Sequence, residues 1–244
     1  MHSLCVYGII AQHETERLSV FTDIISNFEQ HRIVDAVYPT LRKVPWQNEM
    51  LDSGMSKCNR RLSQGELGCL LSHRKAWKLF LNSKHTSALI LESDSTIPDI
   101  SDVIRIIENY RDEFDILFLG SYHRRTKLRR STSKLLENGH RIGVPLENTL
   151  YCAYGYLINK SAARHLLLKT GKILWPVDYW SKWLMSDNRD YVIRTGAVVP
   201  EVISSWAAPS TIQDINAVQT NEKLPRKVRY FIGEVYNSIV GYFK

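Results

Sequence analysis

The chain has 244 residues, of which 44% are hydrophobic and 23% are charged, a composition typical of a soluble globular protein with a core. Its formal net charge of +7 favours an anionic partner such as a nucleic acid, a phosphorylated glycan or a membrane surface. No apolar stretch approaches the ~20 residues that span a bilayer. The N-terminus lacks the basic and long apolar regions of a signal peptide, so membrane-spanning and secreted classes are not expected.

The four cysteines are scattered along the chain and form no Cys-x-x-Cys pair. Three of them, Cys5, Cys69 and Cys152, lie in apolar surroundings that are typical of reduced core residues. Reduced cysteines indicate a cytoplasmic protein. The absence of a paired spacing in the sequence argues against a zinc site.

The N-terminal part of the chain predicts alternating strands and helices. A first strand covers residues 4–10, and apolar residues at helical spacing predict a helix over 15–29. Residues 32–38 predict a second strand, which Pro39 ends. This strand–helix–strand order indicates a parallel sheet. Residues 40–62 are mixed and polar, and they predict a long connection.

A capping box, Ser63-Gln-Gly-Glu66, begins the next predicted helix, which runs to about Leu81. In this motif the serine hydroxyl and the glutamate carboxylate each satisfy an exposed backbone N–H group. Glu66 is therefore expected to close the helix cap. Gly65 and Gly68 are expected to allow close packing, because they do not form a phosphate-binding glycine pattern.

The run Ser87-Ala-Leu-Ile-Leu-Glu-Ser-Asp94 is the most informative feature of the sequence. Its small and apolar residues predict a buried strand over 88–91 that ends in two carboxylates, Glu92 and Asp94. Ligands bind at this end of the strands in α/β sheets, and positions i and i+2 of an extended chain point to one side. Two oxygen ligands aimed together suit Mg²⁺ or Mn²⁺ holding a diphosphate. A strand followed by an ordinary polar turn is the alternative.

The second half continues the α/β pattern with one interruption. A helix near 101–111 and a strand over 115–119 are followed by residues 122–149, which predict a long loop. The basic stretch of this loop, 124–134, either is solvated or suits a phosphate-bearing acceptor. The remaining predicted elements are a strand over 150–158, a helix to Leu168, a helix over 176–185, and strands over 191–194 and 197–199.

The last segment, residues 221–244, keeps apolar residues at helical spacing to the end of the chain. Lysines and arginines cluster at its start. This pattern predicts a basic amphipathic helix. Such a helix packs on the domain by default, or it lies on an anionic membrane surface, where each basic residue contributes roughly 1 kcal/mol.

Several segments occur together in one order. They are Arg17 after the first strand, Leu62-Ser-Gln-Gly-Glu-Leu-Gly-Cys-Leu-Leu-Ser-His-Arg74, Ala88-Leu-Ile-Leu-Glu-Ser-Asp94, Gly155-Tyr-Leu-Ile-Asn-Lys-Ser-Ala162 and Pro176-Val-Asp178. Over roughly residues 3–210 this set resembles glycosyltransferase family 25, the lipooligosaccharide and lipopolysaccharide galactosyltransferase-like family. The GELGCLLSHR segment is the most specific motif of this resemblance.

The resemblance implies a GT-A-like fold: a single Rossmann-type α/β domain with a mostly parallel central sheet flanked by helices. We expect this domain over residues 1–215 and the amphipathic helix over 216–244. The resemblance also implies a UDP-sugar donor, a divalent metal ion (Mn²⁺ or Mg²⁺) and inversion at the anomeric carbon. Galactose is the expected sugar, and a lipooligosaccharide, a lipopolysaccharide or a related glycan is the expected acceptor. The family commonly has Glu-Asp-Asp at the strand end, whereas Ser93 replaces the middle acid here.

Within this resemblance, Asp94 with Glu92 forms the candidate metal and diphosphate site. Arg17, at the mouth of the first strand, and His73 or Arg74 are candidates to stabilise the leaving diphosphate. For His73 and Arg74, a solvated helix face with one buried hydrogen bond is an equal alternative.

Asp178 is the preferred catalytic base, because a carboxylate in reach can take the proton of the acceptor hydroxyl. It lies beside Tyr179 and Trp180, whose aromatic faces suit a sugar ring. A helix N-cap is the alternative role for Asp178. Asp115 is the weaker candidate for the base.

The expected partners are a UDP-sugar and a glycan or lipid-linked oligosaccharide acceptor. A lipid-anchored acceptor favours membrane contact by the 221–244 helix, on the inner face of the cytoplasmic membrane. Nucleic acid is not expected, since the sequence contains no recognisable nucleic-acid-binding motif. The competing hypotheses are a basic polyanion-binding protein and a catalytically weak scaffold of the same fold, for which Ser93 is the only indication.

Overall fold

The structure, a computed structural model, describes residues 3–121, 125–146, 149–184 and 192–205. The strands of these residues are β1 Leu4–Ile10, β2 His31–Asp35, β3 Ser87–Glu92, β4 Ser95–Thr96, β5 Ile116–Phe118, β6 Lys134–Leu135, β7 Arg141–Gly143, β8 Gly155–Asn159, β9 Thr195–Val199 and β10 Ser204–Ser205. The helices are α1 Thr15–Ser26, α2 Gln47–Asp52, α3 Met55–Cys58, α4 Gln64–Leu81, α5 Ile100–Tyr110, α6 Lys160–Lys169 and α7 Trp180–Trp183.

Eight of the described strands form one sheet in the order β2-β1-β3-β8-β5-β9-β7-β6, and β4 pairs separately with β10. The pairing of neighbouring strands gives β7 and β8 one direction and the other six strands the opposite direction. The sheet is therefore mixed but mostly parallel, and the predicted α/β architecture is confirmed.

Helices cover both faces of the sheet, because successive residues of each buried strand point to opposite sides. On one face, Tyr7 and Ile90 pack with apolar residues of α4 and α6. On the other face, Val6 and Leu89 pack with apolar residues of α1 and α5. β3 lies between β1 and β8, and Ala88 to Leu91 are fully buried. The strand that carries the two carboxylates is thus held rigidly at the centre of the core.

The predicted capping box at the start of α4 is confirmed. The backbone N–H of Glu66 donates to Ser63 Oγ at 3.1 Å, and the backbone N–H of Ser63 donates to Glu66 Oε2 at 2.8 Å. Gly68, one turn further, allows the close packing that the sequence predicted. A Cβ atom at this position would lie 2.5 Å from the carbonyl oxygen of Val37 and 2.8 Å from Cδ of Pro39.

Two predicted connections contain regular structure. Residues 40–62 include α2 and α3, which carry no side-chain cap and are too short for a periodic apolar pattern. The predicted loop over 122–149 contains the β6–β7 hairpin in its described part, 125–146. The hairpin turns through Asn138 and Gly139, whose φ of 83° is left-handed. An Asn-Gly pair is a hairpin signal, so the sequence contained a sign of this hairpin.

Several predicted boundaries are wrong. The helix predicted over 15–29 ends at Ser26, and the strand predicted over 32–38 ends at Asp35, before Pro39. The strand predicted over 150–158 begins at Gly155, because Cys152 has a φ of 69° that interrupts an extended chain. The helix predicted over 176–185 begins only at Trp180, after a turn in which the Tyr179 N–H donates to the Pro176 carbonyl. Residues 192–194 are irregular, and the strand near 197–199 extends over β9.

No helix among the described residues is long and apolar enough to cross a membrane. The C-terminal segment 216–244, with the amphipathic helix predicted in it, lies outside the described residues.

Candidate active site at the carboxyl end of β3

The two carboxylates lie where the central strand β3 ends. Glu92 is the last residue of β3, and Asp94 lies in the turn between β3 and β4. The turn is tied to the start of β8, because the backbone N–H of Glu92 donates to the Tyr154 carbonyl at 3.1 Å. The Ser95 hydroxyl donates to the same carbonyl oxygen. Both carboxylates are therefore fixed at the sheet edge where α/β proteins bind ligands.

A buried hydrogen-bond chain supports Glu92 from below. His73, on α4, is fully buried, and its Nε2 lies 2.8 Å from Glu92 Oε1 while its Nδ1 lies 2.8 Å from the Tyr156 hydroxyl. Trp77 Nε1 donates to the same hydroxyl at 2.8 Å. The indole N–H is a donor only, so the Tyr156 oxygen accepts from Trp77 and its O–H is available to donate to Nδ1 of His73. In this neutral tautomer of His73, Nε2 carries the hydrogen and donates to Glu92. The chain orients the carboxylate and favours its ionised form.

Cys69 adds a second donor to the same oxygen. Its thiol lies 3.1 Å from Glu92 Oε1. Burial, and next the charge of Glu92, raise the pKa of the Cys69 thiol, so it stays protonated. Burial opposes the ionisation of Glu92, but the hydrogen bonds from His73 and Cys69 favour the carboxylate, and the pKa of Glu92 lies below its ordinary value. Glu92 is thus a fixed carboxylate whose side chain remains 21% exposed.

Asp94 carries the clearest sign of a missing partner. Its Oδ1 atom is buried and has no hydrogen-bond partner in the structure. Burial, and next the negative charge of Glu92, raise the pKa of Asp94 to about 7. The charge of Arg17 acts in the opposite direction and lowers the pKa of Asp94. Two close carboxylates with an unsatisfied oxygen suit a divalent cation, which binds hard oxygen ligands.

The raised pKa of Asp94 predicts how pH changes the stability of the metal-free protein. Between pH 3.8, the ordinary pKa, and about 7, the folded chain holds this proton and the unfolded chain has released it. Unfolding then releases a proton, so the contribution of Asp94 lowers the free energy of unfolding as pH rises through this window. Urea unfolding in EDTA should show a shallower decline for Asp94→Asn than for the unchanged chain. Equal slopes would contradict the assigned pKa.

Asp178 lies in the turn just before α7. Burial, and next the charge of Glu66, raise the pKa of Asp178 to about 6, and the charge of Glu92 adds to the effect. The indole N–H of Trp183 donates to the Pro176 carbonyl at 2.8 Å and fixes this turn. A half-buried carboxylate with a pKa near the working pH can accept a proton.

The charges of three carboxylates act on two thiols. Burial is the main cause that raises the pKa of Cys152 to about 12, and the charges of Asp178, Glu92 and Asp94 add to it. The same three charges act on Cys69. The structure therefore brings the predicted metal ligands and the predicted base to the same end of the sheet.

Of the two aromatic residues predicted beside Asp178, only one is accessible. Tyr179 is 39% exposed, whereas Trp180 is fully buried and its indole N–H donates to the Cys152 carbonyl at 2.7 Å. Trp180 packs edge-on against Phe118 and Tyr156 in the core. The expected sugar-facing role therefore fits Tyr179 and does not fit Trp180.

Two further candidates lie away from the carboxylates. Arg74 donates to the Leu167 carbonyl at 2.9 Å and to the Thr170 hydroxyl, so it caps the C-terminal end of α6. Asp115 precedes β5 at the opposite edge of the sheet and accepts hydrogen bonds from Asn159 and Arg194. Burial opposes its ionisation, but Arg194 outweighs burial and lowers the pKa of Asp115. Both residues stabilise the fold in this arrangement.

Sequence reasoning missed the residues that support the site. The contacts that Cys69, Tyr156 and Trp77 make around His73 and Glu92 arise only in the folded chain. Arg60 belongs to no recognisable sequence motif. Arg60 donates to both carboxylate oxygens of Glu66, and its charge lowers the pKa of Asp178. The helical spacing of Cys69, His73 and Trp77 on α4 was the one available signal, since residues four apart share a helix face.

Cys69, His73 and Glu92 are themselves a group of potential metal ligands, with donor atoms within 4.8 Å of one another. Each of these atoms already takes part in a hydrogen bond within the group, and His73 uses its second nitrogen on Tyr156. We therefore interpret the group as the support that orients Glu92 toward Asp94.

Comparison with known proteins shows the family of the chain. The family model described as "Glycosyltransferase family 25 (LPS biosynthesis protein)" matches residues 9–181. A Drosophila melanogaster protein described as "Glycosyltransferase 25 family member" is 28% identical over 130 residues, which are 49% of this chain and 19% of that protein. The chain thus spans a small part of this relative's length.

Solved structures give looser likenesses. A197 from STIV has a TM-score of 0.44 and 14% identity, with 83% of each chain covered. S. aureus TarS 1-349 in complex with UDP-GlcNAc has a TM-score of 0.42 and 12% identity, with 86% of this chain and 60% of that chain covered. The family assignment rests on the sequence match, which covers well over half of the chain and includes Glu92, Asp94 and Asp178. The chain belongs to glycosyltransferase family 25.

Proposed function

We propose that the chain is a glycosyltransferase that moves a sugar, galactose, from a UDP-sugar to a lipooligosaccharide, a lipopolysaccharide or a related glycan, with inversion at the anomeric carbon. The observation that carries the donor site is the pair of carboxylates at the end of β3. Glu92 is held ionised by His73 and Cys69, and Asp94 Oδ1 is buried without a partner. Such a pair supports binding of a metal–diphosphate.

The residues fit a divalent cation. Asp94 would hold Mn²⁺ or Mg²⁺, and Glu92 would hold it together with Asp94 or organise its surroundings. When bound, the ion would neutralise the charge that develops on the leaving diphosphate. Ser93 supplies no charge, so this site has one carboxylate fewer than the pattern common in the family.

Arg17 would add positive charge beside Asp94 in the donor site. Its guanidinium lies 3.7 Å from Glu14 Oε2, and its charge acts on Asp94. An arginine near the diphosphate would add fixed positive charge where negative charge builds up in the transition state. His73 is fully buried under Glu92, so in this proposal it positions the carboxylate and does not touch the donor.

Asp178 would accept the proton of the acceptor hydroxyl. Its raised pKa keeps it basic enough to take that proton while leaving it ionised near neutral pH. Direct attack by the activated hydroxyl on the anomeric carbon breaks the bond to the diphosphate in one displacement and inverts the configuration. Tyr179, the neighbouring exposed aromatic residue, would pack against a sugar ring.

The location of the protein belongs to the same proposal. A cytoplasmic enzyme that contacts the inner face of the membrane through residues 221–244 would reach a lipid-linked acceptor. Basic residues at the start of that segment would contribute roughly 1 kcal/mol each near an anionic surface.

The test is thermal stabilisation by UDP, UDP-galactose, UDP-glucose and UDP-N-acetylglucosamine, each with Mn²⁺ and with EDTA. A ligand that binds only the folded chain raises the melting temperature. We expect Mn²⁺-dependent stabilisation by UDP and the largest shift with UDP-galactose. A larger shift with another UDP-sugar would identify that sugar as the donor in place of galactose. No shift with any nucleotide would refute the donor site.

A further inference from the structure

A second site lies beside the β6–β7 hairpin. A cavity of about 590 Å³ opens there, and its walls are formed by Thr126, Lys127, Leu128, Arg130, Ser133, Arg141 and Val199. Lys127, Arg130 and Arg141 bring three cationic side chains to this lining. No acidic residue is present among the described residues that line it. A cavity with this lining attracts an anion.

Two of the three cationic residues, Lys127 and Arg141, lie on paired backbone. Residues 127–129 pair with residues 144–146, since the Leu146 N–H donates to the Lys127 carbonyl at 2.7 Å and the Arg129 N–H donates to the Val144 carbonyl at 2.8 Å. Arg141 Nε donates to Ser133 Oγ at 2.8 Å, which fixes one edge of its guanidinium. A site whose side chains are held in place loses less entropy when a ligand binds.

The cavity opens at the same edge of the sheet as the carboxylates. Val199 ends β9, which runs in the same direction as β3, and Arg141 pairs with Val199. Two strands, β8 and β5, lie between β3 and β9. Three strand spacings of about 4.8 Å separate β3 and β9 by about 14 Å. This distance exceeds one sugar ring, so a ligand that reaches both sites is an oligosaccharide.

A short segment of the chain relates the two sites. The charge of Arg125 acts on Cys152, the same thiol that Glu92, Asp94 and Asp178 influence. Two residues later, the Lys127 N–H donates to Thr149 Oγ1 at 3.3 Å, and Lys127 lines the cavity. The segment therefore contributes a positive charge that acts on the same thiol as the carboxylates and a residue of the cavity lining.

We propose that the cavity binds a phosphoryl group carried by the glycan acceptor, a few sugar units away from the hydroxyl that reacts. This inference rests on the proposed function. Arginine forks match phosphate oxygens with two parallel hydrogen bonds, and lysine adds a point charge. Two arginines and a lysine thus suit a phosphate dianion.

The test measures binding of inorganic phosphate and of glucose 6-phosphate at constant ionic strength, with glucose as the uncharged comparison. EDTA is present, so that a metal-dependent donor site takes no part. Arg130→Gln and Arg141→Gln should each weaken phosphate binding by about tenfold, the loss expected for one charge-assisted hydrogen bond. Arg105→Gln is the matched control, because Arg105 is an exposed arginine on α5 that pairs with Asp102.

The outcomes separate this inference from the donor site. Phosphate binding that is lost in the two cavity variants and kept in Arg105→Gln supports the inference. Unchanged binding in the cavity variants, or no phosphate binding at all, overturns it, and Mn²⁺-dependent UDP binding measured on the same samples shows independently whether the proposed function stands. Retention on vesicles of phosphatidylcholine with phosphatidylglycerol, without binding of glucose 6-phosphate, would overturn it in favour of a membrane surface.

Discussion

Asp94→Asn should abolish Mn²⁺-dependent binding of UDP and lower sugar transfer by about a thousandfold, because metal stabilisation of the leaving group supplies several kcal/mol. The substitution removes a charge and keeps the size of the side chain. Asp94 Oδ1 is buried without a partner, so the asparagine amide replaces an atom that the fold itself does not use. We therefore expect the variant to fold, and its melting temperature without ligand should match or exceed that of the unchanged chain.

The measurement is the thermal shift with UDP and Mn²⁺, compared with EDTA, followed by the rate of transfer. Cys69→Ser is the matched control in the same pocket. If the ion bound to Cys69, His73 and Glu92, Cys69→Ser would remove a metal ligand, and metal-dependent UDP binding would be lost in this control. With Asp94 as the ligand, Cys69→Ser replaces the thiol donor to Glu92 Oε1 by a hydroxyl donor, leaves the His73 hydrogen bond in place, and keeps metal-dependent UDP binding. UDP binding that survives in Asp94→Asn would refute the metal assignment.

The predictions from sequence succeeded where a local pattern determines structure. The apolar run before Glu92, the capping box at Ser63 and the periodic stripe of α4 each depend on neighbours in the chain, and each element was confirmed. The hairpin of β6 and β7 was missed because strands of two and three residues give no periodicity. Its Asn-Gly turn was the only local signal.

The supports of the site were hidden for a different reason. His73 could be singled out from its motif, but its partners lie on β3 and β8, 19 and 83 residues away. Long-range pairing of this kind is set by the strand order, in which β8 inserts beside β3 in the opposite direction. Sequence spacing thus placed the carboxylates at the strand end, while the buried chain beneath Glu92 could only be seen in the fold.

The same limit applies to Asp178. Its neighbours in sequence predicted a helix N-terminus, whereas the structure places it in the turn before α7. Its charge interacts with Glu66 and Glu92, which come from α4 and β3. The property that makes it a candidate base, a pKa raised to about 6, therefore arises from residues that are distant in the chain.

Asp178→Asn should lower the turnover rate by about 10²- to 10⁴-fold, the range that a general base contributes, and should leave Mn²⁺-dependent UDP binding intact. The pH profile tests this role more specifically. Because the pKa of Asp178 is about 6, the unchanged enzyme should lose activity as pH falls below about 6, where the protonated carboxyl can no longer accept a proton. The residual activity of Asp178→Asn should lack this acidic limb.

Asp115→Asn is the matched control for this experiment. Asp115 is buried at the opposite edge of the sheet, where it accepts hydrogen bonds from Arg194 and Asn159. Its replacement should lower the melting temperature, because the asparagine keeps only one of the two acceptor oxygens and removes the charge that faces Arg194, yet the acidic limb should remain. A transfer rate that is unchanged in Asp178→Asn, with the limb still present, would assign the base to another residue. Loss of the limb in Asp178→Asn alone would connect the raised pKa with proton removal from the acceptor hydroxyl.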